Sequence, residues 1–288
     1  MVEAVNTIVV DGLALANDLR DRMTSEIAAI TGTGKRAPCL AVVLVGDNAA
    51  SASYIKGKRR ACQRIGMGSV EHGLSGDSSQ ADLLALIDKL NRDDGIDGIL
   101  VQLPLPKQID ANAIASAVDP DKDVDGVGPL NAGRLVLGVP GLFSCTPLGI
   151  LEILDLHKIP LAGANAVVIG RSMIVGKPIS LLLQQRNATV TMCHSKTRDL
   201  AALCRNAEVL VAAVGSPRMV KRDWIKPGAA VIDVGVTEVD GELVGDVDFA
   251  AAQGVAGLIT PHRRGVGPMT ITMLLANTLR AYRTRTGA

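Results

Sequence analysis

The sequence predicts an α/β protein of two domains. Three observations carry that reading. Short aliphatic runs alternate with stretches of helical period, the rhythm of strand and helix. The rhythm breaks near Phe143 and restarts at Ala164. Hydrophobic residues make up 48% of the chain and aromatics only 2%, so the core must be aliphatic. At 288 residues the chain is long enough for two such cores.

In chain order, a first helix is predicted over residues 18–30 and a buried strand over 40–45. The polar turn Gly46-Asp47-Asn48 follows, and Ser51 or Ser53 is placed to cap the next helix. On that helix Tyr54 and Lys58 lie four apart and share a face. A phenol and an amine held together suit substrate positioning and proton transfer. Lys56, Arg59 and Arg60 surround Lys58 with like charge, which is expected to lower its pKa. The plainer alternative is a basic solvated face. A strand at 69–74, an amphipathic helix at 81–90 and a buried strand at 98–102 come next. Prolines in Leu103-Pro104-Leu105-Pro106 stop that strand. Gln102 is thereby left at a carboxyl end, where ligands of open α/β sheets bind. The acidic stretch Asp119-Pro120-Asp121-Lys122-Asp123-Val124-Asp125-Gly126 fits a solvated loop, or a loop that offers a carboxylate to paired N–H donors of a heterocycle. It lacks the EF-hand pattern. The Asp-Gly turn favours Asp125 as the presented carboxylate.

The second half opens with Thr146 as a helix cap and Pro147 as first helical residue of a helix through His157. Strands are predicted at 166–169, 188–192, 208–214, 229–234 and 257–259, with a helix at 177–186. The turn holding Gly170, Arg171, Ser172 and Gly176 departs from G-x-G-x-x-G, because Ser172 replaces the second glycine. A Gly-rich strand-to-helix turn still aims backbone N–H groups at an anion. The next strand ends in Cys193-His194-Ser195-Lys196-Thr197. No acid stands there to bind a ribose 2′-hydroxyl. Hydroxyls and a cation do, with Arg171 close by, which favours NADP over NAD. Val214-Gly215 and Asp233-Val234-Gly235 are further strand ends expected to line a cofactor cleft. Trp224 reads as packing. A last helix to about residue 283 carries the apolar stripe Ile271, Leu274, Leu275 and Leu279. It is expected to pack back on the first domain, with the tail beyond it frayed.

The net charge of +1 argues against nucleic acid as the main partner. No apolar run reaches the ~18 residues of a membrane span, and the N-terminus does not read as a signal peptide. Five cysteines without a C-x-x-C read as buried thiols of a reducing cytoplasm. Four histidines without ligand spacing predict no metal.

Residues 54–62, 101–106, 120–126, 145–147, 170–178, 188–197, 226–235, 245–249 and 265–270 together resemble the bifunctional methylenetetrahydrofolate dehydrogenase/methenyltetrahydrofolate cyclohydrolase family, in its order and from end to end. The resemblance implies a folate-binding catalytic domain, 1–143 completed by helix 268–288, and a Rossmann-like NADP-binding domain, 144–267. It implies an active site in the cleft between them, a homodimer, and tetrahydrofolate derivatives as substrates. Lys58 is then the general acid/base, Tyr54 packs on the folate, Gln102 holds Lys58, and Asp125 binds the amino-pyrimidine edge. Leu103, Pro104, Pro261, Arg263 and Gly265 join the substrate site. Gly170, Arg171, Ser172, Gly176, His194, Ser195, Thr197, Val214, Gly215 and Val236 hold the cofactor, with Arg171 and Ser195 nearest the 2′-phosphate. One stretch departs from the family: His262-Arg263-Arg264 stands where it usually has a small apolar residue, Pro and Gly. The arginines narrow the folate pocket, bind carboxylates of a glutamate tail, or face solvent. That departure also leaves open a relative with one activity, or a non-catalytic folate or NADP sensor. A short-chain dehydrogenase is excluded, because its Tyr-x-x-x-Lys pair follows the nucleotide-binding glycines and here it precedes them.

Overall fold

A computed structural model describes residues 5–46 and 49–287, with backbone alone for 49–55. It divides into two compact units: Met1–Ala16 with Thr146–Thr270, and Asn17–Cys145 with Ile271–Ala288. The chain runs β1 (Ile8–Val9), α1 (Gly12–Gly32), β2 (Cys39–Val45), α2 (Ala49–Arg64), β3 (Gly68–Leu74), α3 (Gln80–Arg92), β4 (Gly98–Val101), α4 (Ala111–Ala117) and α5 (Pro129–Leu137). It continues through α6 (Cys145–Leu156), β5 (Asn165–Ile169), α7 (Gly176–Gln185), β6 (Thr189–Cys193), α8 (Leu200–Cys204), β7 (Val209–Ala212) and β8 (Ala230–Asp233). The hairpin β9 (Thr237–Val239) and β10 (Glu242–Val244), then α9 (Phe249–Ala252), β11 (Leu258–Ile259) and α10 (Val266–Thr286), complete it.

In the unit of 17–145 and 271–288, a three-stranded parallel sheet runs in the order β3-β2-β4. The central strand β2 has no charged residue, and Leu40, Ala41, Val42 and Val43 are buried, as a strand covered on both faces requires. Helix α3 starts at a Ser79–Asp82 capping box and buries Leu83, Ile87 and Leu90 at helical spacing. These meet Ala41, Val43, Ile99 and Ile114 in one core. The predicted stripe of α10 is buried in part at Leu274, Leu275 and Leu279.

The other unit is built on a six-stranded sheet, β1-β11-β8-β7-β5-β6, with every adjacent pair parallel. Its core gathers Val167, Ile169, Leu210, Val231, Val247 and Ile259, with Trp224 packed against them. Ile8 and Val9 pair with Leu258 and Ile259, which ties the N-terminal segment to this unit.

Two local expectations are corrected. Thr146 is not the cap of α6; it lies inside the first turn, and its hydroxyl meets that of Thr270 at 3.0 Å. The tail is not frayed at Arg283. Helix α10 continues to Thr286, because Arg283 pairs with Glu26 at 2.9 Å and Arg285 donates to the Ile96 carbonyl at 2.7 Å and Asp97 at 3.1 Å.

Candidate active site

Helix α2 follows β2, and Gln102 follows β4, its neighbour in the sheet. The Gln102 amide donates to Val43 O at 2.9 Å, prolonging the ladder by one residue. Lys58 Nζ donates to Gln102 Oε1 at 2.7 Å, and Gln102 Nε2 donates to Leu103 O at 2.8 Å. The second bond fixes the amide, since the reverse orientation would set Oε1 against a carbonyl and an NH2 against the lysine. The Leu103–Pro104 peptide is cis, and both residues are exposed. Burial pulls the Lys58 pKa below its ordinary value, and the Asp125 carboxylate opposes that. The cause therefore differs from the predicted one: desolvation acts, not like charge. Arg59 turns to Glu71 at 3.6 Å. The side chain of Tyr54, the capping roles of Ser51 and Ser53, and the turn residues Asp47 and Asn48 lie outside the described residues.

The acidic stretch divides its carboxylates by role. Asp123, 3% exposed, accepts from the amides of Gly126 at 3.1 Å and Gly128 at 2.9 Å and from Asn131 Nδ2 at 3.1 Å. It is the internal tie of the loop. Lys122 Nζ, also buried, donates to the carbonyls of Leu90 and Asp93 at the end of α3. Asp125 remains as the carboxylate facing Lys58. Burial pushes its pKa up to about 6, with Lys58 opposing and Asp123 adding. Gly126 has φ +68°, and a Cβ there would collide with the backbone of Phe143 and Ser144, so only glycine fits the turn. Asn277 of α10, 3% exposed, donates to the carbonyls of Val124 and Phe143, each at 2.8 Å. Cys145 Sγ also meets Val124 O, at 3.3 Å. Sequence reasoning missed Asn277. The available signal was an amide beside an apolar helical stripe.

In the other unit the expected cofactor residues follow successive strands at one edge. Gly170 follows β5 with φ +120°, and a Cβ on it would strike Ala213 O. A Cβ on Gly176 would strike Gly170 O, so glycine lets α7 start against the strand end. Ser172 Oγ accepts from the amides of Val175 at 3.1 Å and Gly176 at 3.3 Å. Both amides are thereby bonded within the turn. After β6, the amide of His194 donates to Thr197 Oγ1 at 2.9 Å and that of Lys196 to His194 Nδ1 at 3.1 Å. This turn presents Ser195 and Lys196 outward, and Arg171 is exposed after β5. Val214 and Val236 follow β7 and β8 and are 39% and 51% exposed, which leaves apolar surface at a ligand edge. Behind Val214, Asp246 accepts from the amides of Val214 at 2.7 Å, Gly215 at 3.1 Å and Ser216 at 2.6 Å. Asp233 in turn accepts from the amides of Asp246 and Val247. These two buried carboxylates shape the loop, a role the strand-end reading did not give them.

Pro261, Arg263 and Gly265, expected beside Lys58, belong to this unit. Gly265 is buried, Pro261 partly buried and Arg263 exposed. Arg264 has φ +62° and donates to Asp11 at 2.7 Å. The backbone keeps a shape that suits glycine although an arginine occupies it.

A model of the tetrahydrofolate dehydrogenase/cyclohydrolase catalytic domain matches residues 10–125, and one of the NAD(P)-binding domain of the same family matches residues 144–286. The bifunctional protein FolD of Paraburkholderia xenovorans is 56% identical over 273 residues, which cover 94% of this chain and 95% of that protein. Bifunctional protein FolD 3 of Rhizorhabdus wittichii is 53% identical, with 97% and 94% covered. Among solved structures, the bifunctional enzyme FolD of Campylobacter jejuni superposes with a TM-score of 0.95 at 42% identity, covering 97% of this chain and 99% of that one. The Trypanosoma brucei methylenetetrahydrofolate dehydrogenase-cyclohydrolase, complexed with NADP cofactor and inhibitor, gives 0.93 at 37% identity, with 100% of each covered.

Proposed function

The chain belongs to the tetrahydrofolate dehydrogenase/cyclohydrolase family, and from that premise we propose how its two units share the work. It is a bifunctional enzyme that oxidises 5,10-methylenetetrahydrofolate to 5,10-methenyltetrahydrofolate with NADP and hydrolyses that product to 10-formyltetrahydrofolate. The observation that carries the residue assignment is the bond from Lys58 to an oriented Gln102 at the end of β4.

Oxidation leaves a cation stabilised by two nitrogens, so alignment rather than acid catalysis governs that step. Bound NADP supplies the hydride acceptor. Arg171 and Ser195 fit its 2′-phosphate: they follow adjacent strands, face solvent, and have no acid beside them in sequence. Gly170, Ser172, Gly176, His194, Thr197, Val214, Gly215 and Val236 complete that surface. The exposed valines suit the flat face of a ring.

Hydrolysis needs a proton carrier. With its pKa lowered, Lys58 takes a proton from the attacking water as a neutral amine and returns it to the departing nitrogen as an ammonium. Gln102 holds the amine in place. Asp125, as a carboxylate, receives the amino-pyrimidine edge of the pterin, and Tyr54 packs on the folate. Leu103, Pro104, Pro261, Arg263 and Gly265 line the remaining substrate surface. The unit of 17–145 and 271–288 thus carries Lys58, Gln102 and Asp125, and the unit of 1–16 and 146–270 carries the cofactor residues together with Pro261, Arg263 and Gly265. The enzyme acts as a homodimer in the cytoplasm; its helices include none long and apolar enough to cross a membrane among the described residues.

The test follows reduced nicotinamide and the methenyl species separately, with NADP and then NAD. NADPH forming without lasting methenyl, together with methenyl accumulating in Lys58→Met, is the expected pair of results. Equal KM values for NADP and NAD would remove the role given to Arg171 and Ser195.

A further inference from the structure

Beyond β7 the chain passes through Val214, Gly215 and Ser216, whose three successive amides converge on one side chain, that of Asp246. Backbone N–H groups that converge in this way form an anion-binding concavity. At the carboxyl end of a strand in a nucleotide-binding sheet, such a concavity is where a ligand's anion would sit. Here the anion is internal. Asp246 is 0% exposed, and its two carboxylate oxygens accept the three amides at 2.7, 3.1 and 2.6 Å. Asp246 is itself held from behind. Asp233, at the end of β8 and 2% exposed, accepts from the amides of Asp246 at 2.9 Å and Val247 at 3.1 Å. The same segment is bonded to the continuation of the loop: Arg218 donates its amide to Gly245 O at 2.8 Å, and Val220 to Asp246 O at 3.0 Å. Two glycines make room for the carboxylates. A Cβ on Gly235 would strike the Asp246 carboxyl, and one on Gly245 would strike Asp233 Oδ2. The β9–β10 hairpin is thus closed at its base by two aspartates, each seated against a glycine of the opposite arm. The hairpin also approaches the loop at Gly215, where a Cβ would lie 3.8 Å from Thr237 Oγ1. Loop and hairpin carry Val214, Gly215 and Val236, three of the residues given to the cofactor, and all three are exposed.

We propose that Asp246 is a positioning residue of the cofactor site: it stands as an internal anion that holds Val214, Gly215 and Ser216 in their receiving conformation before NADP arrives. This role rests on the cofactor reading above and adds to it the group that forms the surface in advance. A loop ordered beforehand loses less binding free energy to ordering when the ligand comes. Hydrogen bonds from amides to a carboxylate are roughly twice as strong as neutral ones, so a neutral side chain of the same shape does not replace it. Asp246→Asn keeps one acceptor but turns an NH2 towards the amides. Arg171 and Ser195, given to the 2′-phosphate, follow β5 and β6 instead. The effect of Asp246 therefore falls on NADP and NAD alike.

The test has two arms. Hydrogen exchange on the wild type without cofactor should find the amides of Val214, Gly215 and Ser216 protected, although Val214 and Gly215 are exposed, with little further change on adding NADP. Rapid exchange of all three until NADP is added would overturn the proposal, because the ligand would then order the loop. In the second arm, Asp246→Asn is expected to raise KM for NADP and for NAD by the same factor, roughly tenfold for lost charge-assisted bonds, with kcat unchanged. A loss of binding common to ground and transition states moves KM alone. Hydrolysis of supplied methenyltetrahydrofolate should stay at the wild-type rate, which also reports that the variant folds. If the variant does not fold, the exchange arm decides alone. A lowered melting temperature with both KM values unchanged would overturn the proposal and leave Asp246 a structural role. So would a rise confined to NADP, which would move the effect to the 2′-phosphate. Failure of the wild type to reduce either cofactor would strike the cofactor reading instead, and exchange would still decide whether the loop is held in advance.

Discussion

Burial shifts both Lys58 and Asp125 towards their neutral forms, each opposed by the other's charge, and their pH behaviour follows from the direction of each shift. Asp125 titrates near pH 6. Above that it is a carboxylate able to accept two N–H groups; below it, the protonated form loses that capacity. The KM for folate is therefore expected to rise as pH falls through about 6, and Asp125→Asn should show a raised KM with little slope there. Lys58 is lowered from the ordinary 10.5. Its base form grows as pH rises, so hydrolysis should climb with pH and level off below the usual lysine range. Rates on supplied methenyltetrahydrofolate across pH check both. Replacing Lys58 with Met should cut hydrolysis by roughly 10²–10⁴-fold. Undiminished hydrolysis in that variant would pass the proton transfer to another group. At this scale the sequence made the candidates legible, since helical spacing and strand ends depend on local pattern. The cause of the Lys58 shift was not legible: burial is set by packing between distant segments, and the crowding by Arg59 disappears once Glu71 is in place.

The element that matters most is the loop from Asp119 to Gly128, which puts Asp125 in position. It is held from within by Asp123 and from outside by Asn277. In Asn277→Ala, the carbonyls of Val124 and Phe143 lose a buried donor. An unsatisfied buried group costs about 1–3 kcal/mol, and about 1 kcal/mol moves the melting temperature by roughly 2–4 °C in a domain of ~150–250 residues. Asn277→Ala is thus expected to melt several degrees lower and to raise KM for folate, with KM for NADP unchanged. A melting shift with both constants unaltered would reduce Asn277 to a structural role. Long elements were legible because their hydrophobic period repeats. The strand β1, with two residues, and the hairpin β9–β10 were not. Ile8 and Val9 become a strand only because Leu258 and Ile259 stand beside them, a pairing across the length of the chain that no local window contains.

For the molecule as a whole, the alternation of strand and helix predicted the α/β architecture, and it also separates the two chemistries. Hydride transfer needs folate and NADP together. Hydrolysis of methenyltetrahydrofolate needs a proton carrier and water but no nicotinamide. The residues assigned to proton transfer, Lys58 and Gln102, and those assigned to the cofactor lie in different compact units. Changes confined to one unit should then divide the activities. Arg171→Ala is expected to raise KM for NADP by roughly tenfold, the scale of one lost charge-assisted hydrogen bond, and to reduce the preference for NADP over NAD. With methenyltetrahydrofolate supplied directly, the same variant should hydrolyse it at the wild-type rate. Lys58→Met should do the reverse, keeping NADPH formation while methenyl builds up. The measurement is a pair of assays on each variant, one started from the methylene and one from the methenyl substrate. If Arg171→Ala slowed both assays equally, the cofactor surface and the hydrolytic centre would have to be coupled. The division of labour between the two units would then fail, even with both activities present in the wild type.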